Sequence, residues 1–171
     1  MDTLLHIDNA AVAADDGATF ERVAPRTGKT VTRAAAAGIK ESLAAVESAQ
    51  AAFKEWSKTG PGQRRALLLK AADEIEARMN DFIAVMQAEV GANGLWAGFN
   101  VMLAANLFRE AAGLATQIQG ETIPTDKPGT LSMTIRQPVG VILSIVPWNG
   151  PVVLAARAIA YPLVCGNTVV F

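Results

Sequence analysis

One amide side chain stands at a position where it could take part in a reaction. Asn149 follows 139–146, an apolar segment typical of a buried strand, and the turn Pro147-Trp148. Because ligands of open α/β sheets bind beyond the carboxyl ends of strands, an amide there could donate a hydrogen bond to a developing oxyanion, an effect of about 3 kcal/mol for one donor. The alternative is that Asn149 caps the helix that begins at Gly150 or Pro151. Spacing alone favours the cap.

The sequence argues against most other kinds of catalytic site. Cys165 is the only cysteine and His6 the only histidine, so clustered-thiolate metal sites and His-based triads are excluded within this chain. We expect Cys165, in an apolar run at a helix end, to be a small buried residue, and His6 to be exposed near the terminus. No Gly-x-Gly-x-x-Gly fingerprint follows the apolar strand, and Gly28-Lys29-Thr30 lacks the upstream glycine of a phosphate-binding loop. We expect the helical carboxylates to lie mostly on solvated helix faces, with no pair of them placed for acid–base chemistry. They are Glu47, Asp73, Glu74, Glu76 and Glu89.

Composition indicates one globular domain without a strongly charged partner. The 171 residues are 51% hydrophobic and carry 15 Lys and Arg against 16 Asp and Glu, a formal charge of -1. That balance argues against nucleic acid and anionic membrane surfaces as partners. The segment 139–164 is interrupted by proline, glycine and Arg157, which a membrane-spanning helix would not tolerate. A single cysteine and the absence of a basic leader predict a cytoplasmic location.

A helical body is expected after a short polar entry. The turn chemistry of Pro25-Arg26-Thr27-Gly28 predicts a surface hairpin within 20–30. Apolar residues at spacings of three and four then predict four helices. The first follows Gly38 and includes Trp56, the second exposes Arg64 and Arg65, the third is capped by Asn80 or Asp81 and ends at Gly91, and the fourth runs from about Trp96 to Gly120.

The end of the chain is predicted to contain a parallel sheet. Alternation over 131–136 predicts a half-exposed strand, with one face in solvent or paired with another chain. The run 139–146 predicts a strand covered on both faces. Pro151 begins a helix that ends near Gly166, and 168–171 begins another strand. This strand–helix–strand order predicts an α/β fold, and the chain looks like the front part of a larger α/β protein.

Several blocks in this order resemble the NAD(P)-dependent aldehyde dehydrogenase family. RQPVGV at 136–141, PWNGP at 147–151 and PLVCGNTVV at 162–170 are similar to the start of the family's cofactor domain. The turn at 25–28 and the first two predicted helices also resemble the corresponding segments of the family, so the resemblance covers nearly the whole chain. Segments 96–100 and 120–129 are most similar to the subgroup of salicylaldehyde, benzaldehyde and vanillin dehydrogenases.

The resemblance implies oxidation of an aldehyde to a carboxylic acid through a cysteine thiohemiacetal, with hydride transfer to NAD. Asn149 matches the family asparagine that forms the oxyanion hole with a backbone N–H, which reverses the preference for a cap. The strand end that lines the family's NAD groove matches Ile145, Val146, Pro147, Trp148 and Asn149.

An aromatic aldehyde is the substrate that the resemblance favours. Gly150 stands where many family members carry a bulky aromatic residue, which leaves room for a planar ring, and Arg157 lies two turns along the same helix face. We expect Gly150, Arg157, Trp96 and Phe99 to shape the aldehyde pocket. Ordinary packing and surface charge are the alternative interpretation of these residues.

The resemblance also implies what lies outside these residues. The nucleophilic cysteine, the glutamate base and a second nucleotide-binding segment are downstream in the family, so Cys165 is not the nucleophile and this chain alone is expected to be inactive. We divide the chain into a helical N-terminal part (1–123), an oligomerisation β-arm (124–138) and the start of the NAD-binding sheet (139–171). The expected assembly is a homodimer or homotetramer. Oxidation of an aliphatic aldehyde or semialdehyde, or a non-catalytic interaction module, are the alternatives, and NAD against NADP stays open.

Overall fold

Five helices and nine short strands make up the computed structural model, which describes residues 1–171. Two strand groups precede the first helix and two follow the fourth, with the fifth helix between the two strands of the last group. In chain order the elements are β1 (Asp2–Thr3), β2 (Leu5–Ile7), β3 (Ala10–Val12), β4 (Thr19–Val23), β5 (Thr30–Ala35), α1 (Ile39–Trp56), α2 (Pro61–Ala77), α3 (Met79–Glu89), α4 (Gly94–Leu114), β6 (Thr122–Ile123), β7 (Ser132–Met133), β8 (Val141–Leu143), α5 (Pro151–Val164) and β9 (Thr168–Val170). The α/β class is confirmed, and the three-part division of the chain stays a prediction.

The predicted surface hairpin is present near the N-terminus. β4 pairs antiparallel with β5, and Gly28 in the turn has a φ of 68°, a value that favours glycine. β1 adds a parallel strand to β5, and β2 and β3 form a second hairpin. His6 is exposed as expected, although it lies in the paired strand β2 and not in an unpaired terminus.

The strand–helix–strand unit is confirmed, with a shorter first strand than the sequence predicted. β8 and β9 run parallel, with Ile142 paired to Val169, and α5 connects them. Regular pairing covers only Val141–Leu143, and Leu143 is 67% exposed. The expectation of a strand covered on both faces is therefore wrong for this chain, because the face of β8 that carries Leu143 is largely open.

The core lies where α4 packs between α2 and α5. Small side chains on α4, among them Ala104, Ala105, Ala111 and Ala112, are almost completely buried. Alanine allows the helix axes to approach closely, and larger residues such as Leu68 fill the remaining space. This close approach fixes the relative positions of the first turns of α4 and α5.

Two helix ends differ from the predicted ones. α3 begins after Arg78 without a side-chain cap, so neither Asn80 nor Asp81 caps it. α4 begins earlier than expected, because the Asn93 Oδ1 accepts the backbone N–H of Trp96 at 2.8 Å, and it ends at Leu114. Gly120 does not end the helix. It allows the chain to pass close to Thr134 where β6 and β7 begin to pair, because a Cβ at this position would overlap the Thr134 backbone carbonyl oxygen.

The β6–β7 ribbon carries an exposed apolar row. Only Ser132–Met133 of the predicted strand pairs, with Thr122–Ile123. Leu131 and Ile135 are each 68% exposed, and Met133 lies between them on the same side. The alternation of apolar and polar residues therefore predicted the extended chain correctly, but in this chain the apolar side of the segment is exposed to solvent.

None of the five helices combines the length and the apolar character that crossing a lipid bilayer requires.

Candidate active site

Asn149 lies in the sharp turn between β8 and α5, and its side chain is free. The helix cap is Gly150, which supplies no side-chain hydrogen bond, and Pro151 occupies the first turn. Asn149 is exposed, and its amide makes no hydrogen bond within the chain. The cap interpretation that spacing favoured is therefore wrong. The amide is available to a ligand, and its oxyanion role stays a prediction.

Two aromatic residues of α4 are brought to this turn from fifty residues away. The Trp96 Nε1 donates to the backbone carbonyl of Asn149 at 3.4 Å. The ring of Trp96 stacks on Phe99 with a centroid distance of 5.7 Å and an interplanar angle of 26°. Both rings are nearly half exposed, so one side of the pair packs on the protein and the other faces solvent. The turn and the stacked rings lie side by side and together form one wall.

Gly150 is buried against a polar residue that the sequence analysis did not single out. A Cβ at Gly150 would lie 3.2 Å from the Val153 Cγ1 and 3.3 Å from the Asn100 Oδ1. Asn100 is completely buried, and its Nδ2 donates to the Trp96 carbonyl at 3.2 Å, whereas its Oδ1 has no partner. A polar residue within the apolar stripe of α4 was the available signal. Asn100 lies between the aromatic pair and the turn at Gly150.

Arg157, the fourth predicted pocket residue, lies in the middle of α5. It is exposed, and it follows Gly150 by two helical turns on the same face. It neighbours Tyr161, whose pKa is raised by burial and then by the Glu110 carboxylate, while the positive charge of Arg157 acts in the opposite direction. The structure thus places Arg157 on the same side as Gly150 without a direct contact to Asn149.

The residues predicted to bind the cofactor follow β8 directly. Ile145 is 85% exposed and Trp148 is 69% exposed, while Val146 is half-buried. Trp148 also lines a small cavity of about 130 Å³ with Pro151, Val152 and residues of α3. Exposed apolar groups at the carboxyl end of a parallel strand suit the planar rings and ribose of a nucleotide.

A larger cavity lies elsewhere. It measures about 680 Å³ and lies between the β2–β3 turn, α1 and β9. Its lining includes His6 and Phe171 but none of the predicted site residues. Size alone therefore does not locate the chemistry of this chain.

Cys165 is exposed, which corrects the expectation of a buried residue. Cys165 is the C-cap residue that follows α5, and the chain reverses at Gly166, whose φ is 84°. Gly166 turns inward against Arg64, so the preceding cysteine points outward. Arg64 is half-buried, with its Nε enclosed and unpartnered, and not exposed as predicted.

The carboxylates of the helices serve packing and surface contacts. Arg109 on α4 binds Glu76 at 2.7 Å and Asp73 at 3.0 Å on α2. The hydrogen bond to Arg109 holds the pKa of Glu76 below its usual range. Glu89 is half-buried and accepts the Thr32 hydroxyl at 2.6 Å, so for it the expected solvated face is wrong. No group of three metal-ligating side chains is present.

These features define a class of protein. A free amide and apolar side chains at the carboxyl end of a parallel strand, followed by a helix, are typical of ligand-binding α/β enzymes. The aldehyde dehydrogenase family model matches residues 12–171, and the chain belongs to that family.

Known proteins resemble the whole length of the chain. Salicylaldehyde dehydrogenase of Pseudomonas sp. (strain C18) is 63% identical over 171 residues, covering 100% of this chain and 35% of that protein. The crystal structure of a salicylaldehyde dehydrogenase from Pseudomonas putida G7 complexed with salicylaldehyde matches with a TM-score of 0.98 and 62% identity, over 100% of this chain and 35% of that one. The structure of PnpE in complex with nicotinamide adenine dinucleotide matches with a TM-score of 0.95 and 36% identity, over 99% and 35%. The chain thus spans about a third of the length of the relatives it matches.

Proposed function

We propose that the enzyme to which this chain contributes oxidises aromatic aldehydes to carboxylic acids with NAD. The observation that carries the proposal is the free Asn149 amide, next to the stacked Trp96 and Phe99. Family membership supports the reaction, and the 63% identity to salicylaldehyde dehydrogenase supports an aromatic substrate. The family's nucleophilic cysteine and glutamate base belong to sequence that this chain does not contain.

The proposed role of Asn149 is to stabilise negative charge on the aldehyde oxygen. When a thiolate attacks the carbonyl carbon, the oxygen becomes an oxyanion, and a positioned amide N–H can donate to it. Pro151 in the first turn of α5 and the Trp96 bond to the Asn149 carbonyl hold the turn in place. Such a donor needs no reorganisation at the moment of reaction, which is why its contribution is large.

The proposed cofactor groove begins at Ile145 and continues through Trp148. NAD, when bound, accepts the hydride from the substrate carbon. The exposed Ile145 side chain and the backbone after β8 would contact it and exclude water. We propose NAD as the cofactor of the enzyme in preference to NADP, and the cytoplasm as its location.

Replacement of Asn149 by alanine in the full-length enzyme tests the oxyanion role. We expect kcat to fall by about 10²–10³-fold, the loss typical of one oxyanion donor, with little change in KM. The measurement is the rate of NADH formation with 2-hydroxybenzaldehyde. Asn80→Ala, at an exposed asparagine of α3, is the matched control and keeps full activity. An unchanged kcat in the Asn149→Ala enzyme would refute the role.

Substrate selectivity is proposed to depend on Gly150, Arg157, Trp96 and Phe99. Stacked rings beside a glycine leave a flat apolar wall for an aromatic ring. We expect Arg157→Ala to lower kcat/KM for 2-hydroxybenzaldehyde about tenfold, the loss of one charge-assisted hydrogen bond. A short aliphatic aldehyde is the comparison substrate and should be unaffected. Equal kcat/KM values for both aldehydes in the unmodified enzyme would favour an aliphatic or semialdehyde substrate instead.

The β6–β7 ribbon is proposed as an oligomerisation arm. Its exposed row of Leu131, Met133 and Ile135 is apolar on an otherwise polar loop region, and such rows mark interaction surfaces. A second copy of the enzyme is the proposed partner, in a homodimer or homotetramer.

A further inference from the structure

The peptide unit between Asn149 and Gly150 is contacted by two side chains of α4. The Trp96 Nε1 donates to the Asn149 backbone carbonyl at 3.4 Å. A Cβ at Gly150 would lie 3.3 Å from the Asn100 Oδ1, so the Asn100 side chain lies against the N-cap of α5. The Asn149 side chain leaves the backbone next to this peptide unit. The direction of its amide therefore depends on how the unit is held.

Two asparagine side chains bind the backbone of Trp96. The Asn93 Oδ1 accepts the Trp96 backbone N–H at 2.8 Å, and the Asn100 Nδ2 donates to the Trp96 backbone carbonyl at 3.2 Å. The first of these bonds caps α4. The second runs back along the same helix by one turn, and local bonds of this kind compete with the hydrogen bonds of the helix itself. Asn100 thus contacts the same residue whose indole reaches Asn149.

Asn100 is the only polar residue among the buried residues of α4. It is completely buried, and its Oδ1 has no hydrogen-bond partner in the chain. A buried polar atom without a partner destabilises a fold, whereas an apolar side chain of similar shape does not. Packing therefore does not explain an asparagine here, and residues that reduce stability in this way are typical of functional sites.

We propose, on the basis of the aldehyde oxidation proposed above, that Asn100 is a positioning residue for the oxyanion donor Asn149 and acts through Trp96. Its Nδ2 holds the Trp96 backbone so that the indole N–H reaches the Asn149 carbonyl. Asn100 is enclosed by protein and contacts neither the aldehyde nor the cofactor. Its effect is therefore on the direction of the Asn149 amide and not on the shape of the aldehyde pocket.

This role predicts a loss of kcat that is the same for different aldehydes. The oxyanion forms on the carbonyl oxygen, which aromatic and aliphatic aldehydes share. A residue that shaped the pocket would instead distinguish the two substrates. Because a misdirected donor weakens stabilisation of the transition state more than binding of the substrate, kcat falls and KM changes little.

Replacement of Asn100 by leucine in the full-length enzyme separates positioning from stability. We expect kcat for 2-hydroxybenzaldehyde and for propanal to fall by the same factor, about two- to tenfold, the range for one hydrogen bond. The calorimetric Tm should equal or exceed that of the unmodified enzyme, because the unpartnered Oδ1 is removed. Asn106→Leu, the same change on the exposed side of α4, is the control and keeps full activity.

A serine–alanine pair tests the hydrogen bond without a larger side chain. A serine hydroxyl can donate to the carbonyl four residues earlier, so Asn100→Ser keeps the donor to Trp96 that Asn100→Ala lacks. We expect kcat of Asn100→Ser to exceed that of Asn100→Ala about two- to tenfold with both aldehydes. Trp96→Phe removes the indole N–H, and in its background this difference should disappear.

Three results would overturn the proposal. They are equal kcat values for Asn100→Ser and Asn100→Ala, a loss of kcat confined to the aromatic aldehyde, and a serine–alanine difference that persists with Trp96→Phe. Failure of the underlying function is distinguishable, since the unmodified enzyme would then form no NADH with 2-hydroxybenzaldehyde.

Discussion

Replacing Gly166 by alanine should destabilise the protein more than replacing Gly28 or Gly113. Gly166 connects α5 to β9 and has a φ of 84°, and a Cβ there would lie 2.8 Å from both the Arg64 Nη1 and the Pro138 Cγ. A left-handed conformation costs a non-glycine residue about 1–2 kcal/mol. Overpacking against neighbouring atoms costs about 1–3 kcal/mol more. We therefore expect a loss of roughly 2–5 kcal/mol in the free energy of unfolding.

Two matched glycines separate the backbone effect from the steric effect. Gly28 has a φ of 68° and no atom near its potential Cβ, so Gly28→Ala carries the backbone cost alone. Gly113, in the last turn of α4, has neither a positive φ nor a neighbour, and Gly113→Ala should be stabilising by up to about 1 kcal/mol.

Calorimetric Tm values of the full-length variants provide the test. The expected order, from highest to lowest Tm, is Gly113→Ala, unmodified enzyme, Gly28→Ala and Gly166→Ala. Gly166→Ala should also lower activity, because the adjacent Asn167 Oδ1 accepts the backbone N–H groups of Val139 at 2.7 Å and Gly140 at 3.1 Å and so places β8. A Tm for Gly166→Ala equal to that of Gly28→Ala would refute the steric part of the reasoning.

Two further predictions concern assembly and pH. Leu131→Asp combined with Ile135→Asp should lower the molar mass measured by light scattering, because charge would replace apolar contact area. Thr125→Asp in the neighbouring loop is the control and should leave the molar mass unchanged. An unchanged molar mass in the double variant would show that the ribbon is not an interface. Glu41 accepts the N–H groups of Gly38 at 2.7 Å and Asp15 at 3.0 Å, and these bonds hold the pKa of its carboxyl below its usual range. Its stabilising effect is complete above the ordinary glutamate pKa and is lost as pH falls through the lowered value, so the Tm difference between the unmodified enzyme and Glu41→Gln should shrink below about pH 4, and a constant difference would contradict this linkage.

Local sequence patterns predicted the elements whose signals are periodic. The spacing of Leu43, Val46, Phe53 and Trp56 is helical, and α1 is helical from Ile39 to Trp56. Pro151 in the first turn of α5 was equally informative. Strands β1 to β3 were missed because two or three residues are too few to show alternation.

Burial depended on neighbours that a local pattern does not contain. Cys165 stands in an apolar run, yet the reversal at Gly166 turns it outward. Arg64 looked like a surface residue, yet α2 packs so that its Nε is enclosed. In both cases the direction of the side chain follows from the packing of α5 against α2, which the sequence of either helix alone does not determine.

The candidate site was predictable in parts and not as an assembly. Asn149 was found from its place after an apolar strand, but its freedom from capping is a result of backbone geometry at Gly150. Trp96 and Phe99 were selected only through the family resemblance, because nothing in their own helix relates them to a turn fifty residues later. Asn100, which is buried between the aromatic pair and the turn, was missed.

The core determines how accurately this site is built. Alanines line both sides of the α4–α5 contact, including Ala104 on α4 and Ala156 and Ala160 on α5. Their small volume brings the helices close enough for the Trp96 indole to reach the Asn149 carbonyl. A larger residue at Ala156 would separate the two helices and with them the aromatic pair and the amide. The buried alanines therefore help to position Asn149 and the aromatic pair, although none of them is exposed.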